Sequence, residues 1–356
     1  MNKYFFSLIA FSVFTNISLA QDMEEVVVTS SLVDTSEITN PLYVIDGNEI
    51  NDDITTSLGD AVDSYLGVSI ADYGSAVGQP IIRGMSGPRV KILKNGMVNR
   101  DVSGLGADHL NDVDLNNIEQ IEIVKGPSSL LYANGTIGGI INVVDDCVAP
   151  NNFDKPEFLV ALENQSVNDG DTKAVNYKNN INGFNVNVGY KESKFSNFDV
   201  PNGAVIHEEE EGDDDHEENL GYINNSDYAV EATKFGISKV GDWGYSGFSI
   251  DSLQSIYGIP FHGEGHEDEH GEEDTHEGHD HAEGPTVFSN EATEISLALD
   301  LSAGERIRRV VLNYAEEEIS IIGEEAFMAP VDSTETTLGF FSSDDLGFAS
   351  LDLGFR

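Results

Sequence analysis

The sequence is poor in cysteine and in basic residues, and each shortage excludes something. Cys147 is the only cysteine among 356 residues, so no disulfide can form within the chain, and we expect Cys147 to be half-buried near a domain end. Eighteen lysines and arginines stand against 64 aspartates and glutamates, which gives a net charge of −46. Such a field repels phosphates and attracts cations, so we expect cationic partners and no nucleic acid.

Long apolar runs are also scarce, and the one at the N-terminus has a separate explanation. Lys3 precedes an apolar run from Tyr4 to Phe14, and the small residues Ser18 and Ala20 have the spacing of a cleavage site before Gln21. This pattern predicts a secretory signal peptide over residues 1–20. Elsewhere no run approaches the roughly 18 apolar residues of a transmembrane helix. If the exported chain crosses a membrane, it must therefore do so as a β-barrel.

Residues 41–150 have the pattern of a compact mixed α/β domain. An apolar helical face is predicted from the spacing of four residues, namely Leu58, Ala61, Val62 and Tyr65, with Thr55 or Thr56 as the N-cap. The pair Asn95-Gly96 within "RVKILKNGMVN" predicts a tight β-hairpin. A strand is predicted from Ile118 to Lys125, followed by a break at Gly126-Pro127 and a short helical turn. The stretch "GGIINVVDD" supplies a last strand.

From about residue 157 the chain changes to segments of ten to fifteen residues that alternate between apolar and polar side chains. At most nine strands are predicted there, with short connectors at one end, long acidic connectors at the other, and aromatic residues near strand ends. The pattern is typical of an outer-membrane β-barrel, although a soluble β-sandwich alternates similarly. Because a nine-stranded barrel could not enclose the preceding domain, we expect the barrel to continue beyond Arg356.

Eight of the nine histidines fall in two acid-rich segments, within residues 201–222 and 259–286. They are His207, His216, His262, His266, His270, His276, His279 and His281. Imidazole and carboxylate are ligands for zinc, and copper and nickel accept the same donors, so the pattern indicates transition metals as a class. A solvated polyanionic segment with no ligand is the competing interpretation, but carboxylates alone would serve that purpose.

Three stretches resemble one protein family. "MEEVVVTSS" at 23–31 looks like a TonB box, carried by Glu24, Glu25, Val26, Val27, Val28 and Thr29. "PIIRGMSGPRVKILKNGM" and "IEQIEIVKGPSSLLYANGTIGGIINVV" look like the signature stretches of a plug domain. The chain thus resembles a TonB-dependent outer-membrane receptor. The β-branched residues of the box favour strand addition to an energy-coupling partner. An ordinary first strand of the plug would have the same sequence pattern.

The resemblance implies an architecture and a location. The fold is an α+β plug domain followed by antiparallel transmembrane β-barrel strands, in a family whose barrel has 22 strands. Residues 21–40 would hold the TonB box and a linker, 41–150 the plug, and 151–356 the first part of the barrel. The partners implied are the TonB energy-coupling complex of the inner membrane, outer-membrane lipid, and a metal ion or metal chelate. The plug would lie on the periplasmic side, and the histidine-rich loops would be extracellular.

Within that family, "GADHLNDVD" and the histidine-rich segments look like the zinc-importing subgroup. In that subgroup a matching Asp-His pair on the plug contributes to a buried metal site, which implies this role for Asp108 and His109. Asp112 and Asp114 are weaker additional ligands. From chemistry alone, the pair could equally be a local turn with a capping Asp.

The sequence therefore predicts import of zinc, or of copper or nickel, as the cargo of a receptor with no catalytic cofactor. Two alternatives stay open: a siderophore or haem receptor, and a surface protein that buffers metal without transporting it. A siderophore or haem receptor predicts aromatic and basic external loops, whereas these are acidic. We expect no enzyme, because no nucleophile and base arrangement is present in the sequence and the histidines concentrate in one region.

Overall fold

The computed structural model describes residues 42–52, 57–72, 76–99, 109–111, 113–131, 136–204, 221–260, 287–301, 309–322, 331–341 and 348–355. Within these ranges, none of the helices has the length and apolar character that crossing a membrane as a helix requires. The described residues form a small mixed α/β unit followed by a large antiparallel sheet.

The first unit consists of two short helices, two 3-10 helices and seven strands. Its elements are β1 (Leu42–Asp46), α1 (Gly47–Asp52), α2 (Leu58–Val62), β2 (Val68–Asp72), β3 (Gly78–Ile82), a 3-10 helix (Gly87–Arg89), β4 (Val90–Lys94), β5 (Met97–Val98), β6 (Gln120–Lys125), a 3-10 helix (Gly126–Leu131) and β7 (Gly139–Val144). Five of the strands form one sheet in the order β1-β6-β7-β4-β5, and β2 pairs with β3. The sheet packs against α2 through a fully apolar core that includes Ile121, Ile123 and Ile141.

The predicted helix is present, but two details of the prediction were wrong. Ser57 is the N-cap of α2, since its side-chain oxygen accepts a hydrogen bond from the backbone N–H of Asp60 at 3.2 Å. The predicted caps Thr55 and Thr56 lie outside the described residues. The helix ends at Val62, so Tyr65 packs against the core from the turn that follows.

The hairpin between β4 and β5 is confirmed. Asn95 and Gly96 have φ values of 51° and 83°, the left-handed conformation that a tight two-residue hairpin requires. Strand β6 begins at Gln120, two residues later than predicted, and the predicted helical turn after it is a 3-10 helix. The last predicted strand is β7, which pairs parallel to β4 and antiparallel to β6.

The second unit is a nine-stranded antiparallel sheet, as many long strands as the alternation predicted. Its strands follow in the order β8 (Glu157–Gln165), β9 (Gly170–Ile181), β10 (Phe184–Phe195), β13 (Tyr228–Gly241), β14 (Gly244–Gly258), β15 (Val287–Leu301), β16 (Arg309–Ile322), β17 (Val331–Phe341) and β18 (Phe348–Phe355). A two-residue pair that the pattern did not predict, β11 (Phe198–Asp199) and β12 (Tyr222–Ile223), lies within the connector between β10 and β13.

Between β9 and β15 the connectors differ in length at the two ends of this sheet, as predicted. The turns 182–183 and 242–243 have two residues, while the connectors 196–227 and 259–286 at the opposite end are long. We call these the short-turn end and the long-loop end. The acid-rich segments that hold eight of the nine histidines therefore join the sheet at its long-loop end.

The outward face of the sheet changes character along the strands. One row of side chains paired across adjacent strands consists of Tyr177, Val188, Phe235, Ile250, Ile295 and Tyr314. Four residues further toward the long-loop end, the corresponding row is Lys173, Glu192, Glu231, Gln254, Glu291 and Glu318. An apolar band with polar strand ends beyond it is typical of outer-membrane barrel strands. The inward face packs against the first unit.

Candidate functional site

Most of the residues that the sequence singles out lie outside the described ranges. This applies to the TonB box, Glu24, Glu25, Val26, Val27, Val28 and Thr29, to Asp108 and Asp112, and to His207, His216, His262, His266, His270, His276, His279 and His281. Their roles stay predictions. His109 and Asp114 are described, and both lie where the first unit, called the plug unit below, contacts the nine-stranded sheet.

A row of four aromatic rings crosses the inward face of the sheet at its long-loop end. Phe195, Tyr228, Tyr257 and Phe288 are direct partners on the adjacent strands β10, β13, β14 and β15. All four are buried, together with Ala76, Val77 and Leu110 of the plug unit. Sequence reasoning noted aromatics near strand ends but did not predict that they align. The signal was available only through strand register, which alternation does not give.

His109 meets the end of this aromatic row. Its ring is half-buried and lies 5.2 Å from the ring of Phe288, measured between centroids, at an interplanar angle of 86°. Its backbone carbonyl accepts a hydrogen bond from the side-chain amide of Gln79 at 2.9 Å. Because β14 ends at Gly258 and β15 begins at Val287, Phe288 is the second residue of the strand that follows the histidine-rich connector. The plug candidate and that connector therefore share one end of the sheet.

The carboxylate of Asp114, one of the weaker candidate ligands, is paired with two ammonium groups. The Nζ of Lys234 lies 3.0 Å from one carboxylate oxygen and that of Lys191 lies 3.7 Å from the other. Burial alone would raise the pKa of Asp114, but these two ammonium groups outweigh it and hold the pKa below its ordinary value. Lys234 also donates to the carbonyls of Asp114 and Asn116, at 3.1 and 3.0 Å.

Four more polar contacts join Asn116, Glu119 and Asp146 to the sheet. The side-chain amides of Asn116 and Asn176 donate to each other, at 3.1 and 2.9 Å. Lys178 of β9 forms ion pairs with Asp146 at 2.5 Å and with Glu119 at 3.0 Å. Burial raises the pKa of Asp146 to about 8, assisted by Glu119 and opposed by Lys178, whereas the pKa of Glu119 is lowered because the attraction of Lys178 outweighs burial.

A further cluster has the ligand types for a metal but already holds a cation. One ligand atom each of Asp145, Cys147 and Asp251 lies within 4.8 Å of the others, the single such group among the described residues. The Nζ of Lys94 lies 2.6 Å from Asp251 and 2.7 Å from Glu294, so an ammonium group occupies the charge position that a metal would take. Burial opposes the charge on Lys94, but Asp251 and Glu294 outweigh it and raise its pKa well above the ordinary value.

Cys147 lies in this cluster as a free, buried thiol near the end of the plug unit, more deeply buried than the half-buried position expected. Burial raises the pKa of the thiol well above its ordinary value, with the neighbouring carboxylates of Asp145 and Asp251 acting in the same direction. The thiol is therefore protonated at neutral pH and has little reactivity as a nucleophile or ligand.

Comparison with known proteins finds a family match for the part of the chain that contains His109 and Asp114. Residues 34–140 match the family described as the TonB-dependent Receptor Plug Domain. The vitamin B12 transporter BtuB of Vibrio vulnificus (strain CMCP6) is 30% identical over 128 residues, which cover 35% of this chain and 21% of that protein. The chain therefore spans only part of the length of this relative.

Solved structures of receptors share the arrangement of the plug and the sheet. The hemophore receptor HasR of Serratia marcescens has a TM-score of 0.58 at 13% identity, over 85% of this chain and 41% of that chain. The ferric yersiniabactin uptake receptor FyuA from Yersinia pestis has a TM-score of 0.56 at 13% identity, over 89% of this chain and 48% of that chain. The copper transporter OprC has a TM-score of 0.54 at 14% identity, over 84% of this chain and 42% of that chain. At these identities the likeness shows the fold alone.

Proposed function

We propose that this chain, which carries a TonB-dependent receptor plug domain at residues 34–140 followed by barrel strands of the same fold, belongs to an outer-membrane receptor that captures zinc and imports it into the periplasm. The described strands belong to a larger barrel in this proposal. The TonB complex of the inner membrane supplies the energy by acting on the segment from Glu24 to Thr29.

The observation that carries the proposal is the position of His109. Its ring contacts Phe288 at the end of the sheet where the histidine-rich connector 259–286 joins β14 and β15. A cation that this connector attracts would therefore arrive on the side of the plug where His109 lies. The arrangement supports capture in two stages, first by the external histidines and carboxylates, and then by His109 together with Asp108.

The donor chemistry supports a borderline metal over calcium or magnesium. Imidazole nitrogen is a preferred ligand of zinc, copper and nickel, whereas calcium and magnesium prefer oxygen ligands. The carboxylates contribute long-range attraction and charge balance, since the whole chain carries a net charge of −46. Zinc is our choice within the class, and the likeness to a copper transporter makes copper the first competitor to test.

A metal titration on the full-length protein tests the proposal. Zinc, copper, nickel and calcium would each be titrated in competition with a chelator of known affinity, on the wild type, on His109→Ala, and on a variant with the eight histidines between His207 and His281 changed to asparagine. We expect a weaker set of sites that the eight substitutions remove and one tight zinc site that His109→Ala removes. Binding that ignores both changes, or that prefers calcium, would contradict the proposal and favour a siderophore or haem receptor.

The pH dependence of binding gives a second check. Protonated imidazole cannot bind a metal, so zinc should be released as the pH falls from about 7.5 to about 5. A matched measurement with calcium, which carboxylates can bind alone, should change much less over this range. Equal zinc affinity at both pH values would show that the imidazoles do not provide the ligands.

A further inference from the structure

We propose that Phe288, whose ring stacks on Tyr257, is a positioning residue that fixes the orientation of the His109 imidazole for metal capture. The inference rests on the proposed function, in which His109 is a ligand, and it assigns a role to Phe288, whose side chain carries no donor atom for zinc. It also gives a purpose to the part of the aromatic row that ends at the plug.

The rings of Tyr257, Phe288 and His109 contact one another in that order. Tyr257 is completely buried and is the direct cross-strand partner of Phe288. Their ring centroids are 5.6 Å apart and their planes differ by 20°, so the two rings are stacked. Phe288 then meets His109 at 5.2 Å and 86°, nearly perpendicular. Because Phe288 is itself buried and stacked on Tyr257, the ring that His109 meets cannot easily move away.

A perpendicular ring contact restricts what the imidazole can do. A metal bond requires the nitrogen lone pair to point at the ion, so the plane of the imidazole must be set within a narrow range. The face and the edge of an aromatic ring carry opposite partial charges, so a perpendicular contact between two rings prefers one relative orientation. An aliphatic side chain of similar size would fill the space and would impose no such preference.

The chain contains a matched control for this role. Phe195 belongs to the same aromatic row and the same apolar cluster, and it is 7% exposed where Phe288 is 6% exposed. Phe195 stacks on Tyr228 instead, at 5.9 Å and 8°. Phe195→Leu and Phe288→Leu therefore remove equally buried rings from one cluster, and only the second removes the ring that meets His109.

Zinc affinity is the first measurement, on the full-length protein in which the eight histidines between His207 and His281 are asparagine. We expect Phe288→Leu to weaken zinc binding about tenfold, Phe288→Tyr to retain it, and Phe195→Leu to leave it unchanged. Equal loss in both leucine variants would show that burial alone matters, and no loss in Phe288→Leu would also overturn the inference. If Phe288→Leu does not fold, Tyr257→Leu must weaken binding in the same direction, and unchanged affinity there would overturn it.

A measurement without metal separates this inference from the proposed function. Diethyl pyrocarbonate modifies accessible imidazoles, and the rate at His109 can be followed by peptide mass spectrometry in the same background. We expect Phe288→Leu to increase that rate several-fold and Phe195→Leu to leave it unchanged. If His109→Ala does not affect zinc binding, the plug site fails as a proposal, and the modification rates still decide whether Phe288 holds the ring. If His109→Ala removes zinc binding and Phe288→Leu changes neither quantity, the positioning role alone is wrong.

Discussion

At the scale of single residues, two carboxyl groups compete for one ammonium group where the plug meets β9. Lys178 contacts both Asp146 and Glu119, and the side-chain amide of Asn187 donates to Asp146 at 2.6 Å. The pKa of Asp146 is raised to about 8 while that of Glu119 is lowered, so the pair retains one proton at neutral pH. Two ionised carboxylates beside one lysine would leave a buried negative charge, which the retained proton prevents.

Asp146→Asn should therefore flatten the pH dependence of local stability. With a raised pKa, the folded state binds more protons than the unfolded state between about pH 4 and about pH 8, so stability falls as the pH rises through this window. An asparagine at position 146 cannot ionise, and its side-chain oxygen can still accept the hydrogen bond from Asn187. Hydrogen exchange of the β7 amides, corrected for intrinsic rates, measures the effect.

The matched control for this change is Asp154→Asn, at an exposed turn just before β8. It should leave the pH slope of the wild type intact. A slope that persists in Asp146→Asn, or protection of the wild type that increases from pH 5 to pH 8, would show that Asp146 is ionised throughout.

A second prediction at this scale concerns Gly236 on the inward face of β13. A Cβ built there would lie 1.8 Å from the backbone carbonyl oxygen of Cys147, so the plug chain and the sheet are in contact with no room for a side chain. Gly236→Ala should push residues 145–149 away from the sheet, and limited proteolysis of the folded protein should then cut this segment faster. Thr233→Ala on the exposed face of the same strand is the control, and equal cleavage in both variants would contradict the prediction.

At the scale of elements, local patterns predicted the secondary structure well. Asn95-Gly96 identified its hairpin because the turn depends on two adjacent residues, and alternation predicted at most nine strands, which is the number of long strands described. The helix was harder, because Tyr65 continues the apolar spacing beyond Val62, where the helix has already ended. The pair β11 and β12 was missed since two-residue strands have no periodicity to detect.

The contacts between the plug and the sheet could not have been predicted in this way. Lys234 and Asp114 are 120 residues apart, and so many acidic residues are available that charge alone selects no partner. The same limit applies to the candidate site. Composition identified the histidines, and a family resemblance identified His109, but the register of β14 and β15 was needed to find Tyr257 and Phe288 beside it.

The plug segment from Asp114 to Asn116 depends on Lys234, which suggests a double-mutant cycle. Lys234→Met leaves the buried carboxylate of Asp114 with the more distant Lys191 and the backbone N–H of Asn116 as partners. Removing one partner of a buried ion pair typically costs about 3–5 kcal/mol. We expect the amides of residues 113–118 to lose protection by up to that amount. Adding Asp114→Asn should recover part of the loss, since the unpaired charge disappears. Strictly additive losses would show that the two side chains are not coupled.

At the scale of the whole molecule, the few basic residues have a pattern. Lys178, Lys191 and Lys234 of the sheet pair with plug carboxylates, while Lys94 of the plug pairs with carboxylates of the sheet. Among the residues that the structure describes, four lysines thus join the two units, and the net charge of the chain is −46. The charges therefore have two effects. The ion pairs fix the plug to the sheet, and the excess of acidic residues attracts cations.

In the proposed function these ion pairs hold the plug in place, so import would depend on an external pull on the plug. Deleting Glu24 to Thr29 removes the proposed attachment for the TonB complex and leaves every described plug contact unchanged. We expect the deletion variant to bind zinc with the affinity of the wild type and to lose uptake of radioactive zinc into cells almost completely. His109→Ala should instead lose tight zinc binding, and its uptake should fall as a consequence.

The two variants together distinguish transport from buffering. A surface protein that only stores metal would lose nothing measurable on deletion of the segment, since its histidines and carboxylates would still face outward. Full uptake in the deletion variant would therefore contradict energy-coupled import even if the zinc site itself were confirmed. Loss of uptake with unchanged binding would instead support energy-coupled import through the segment from Glu24 to Thr29.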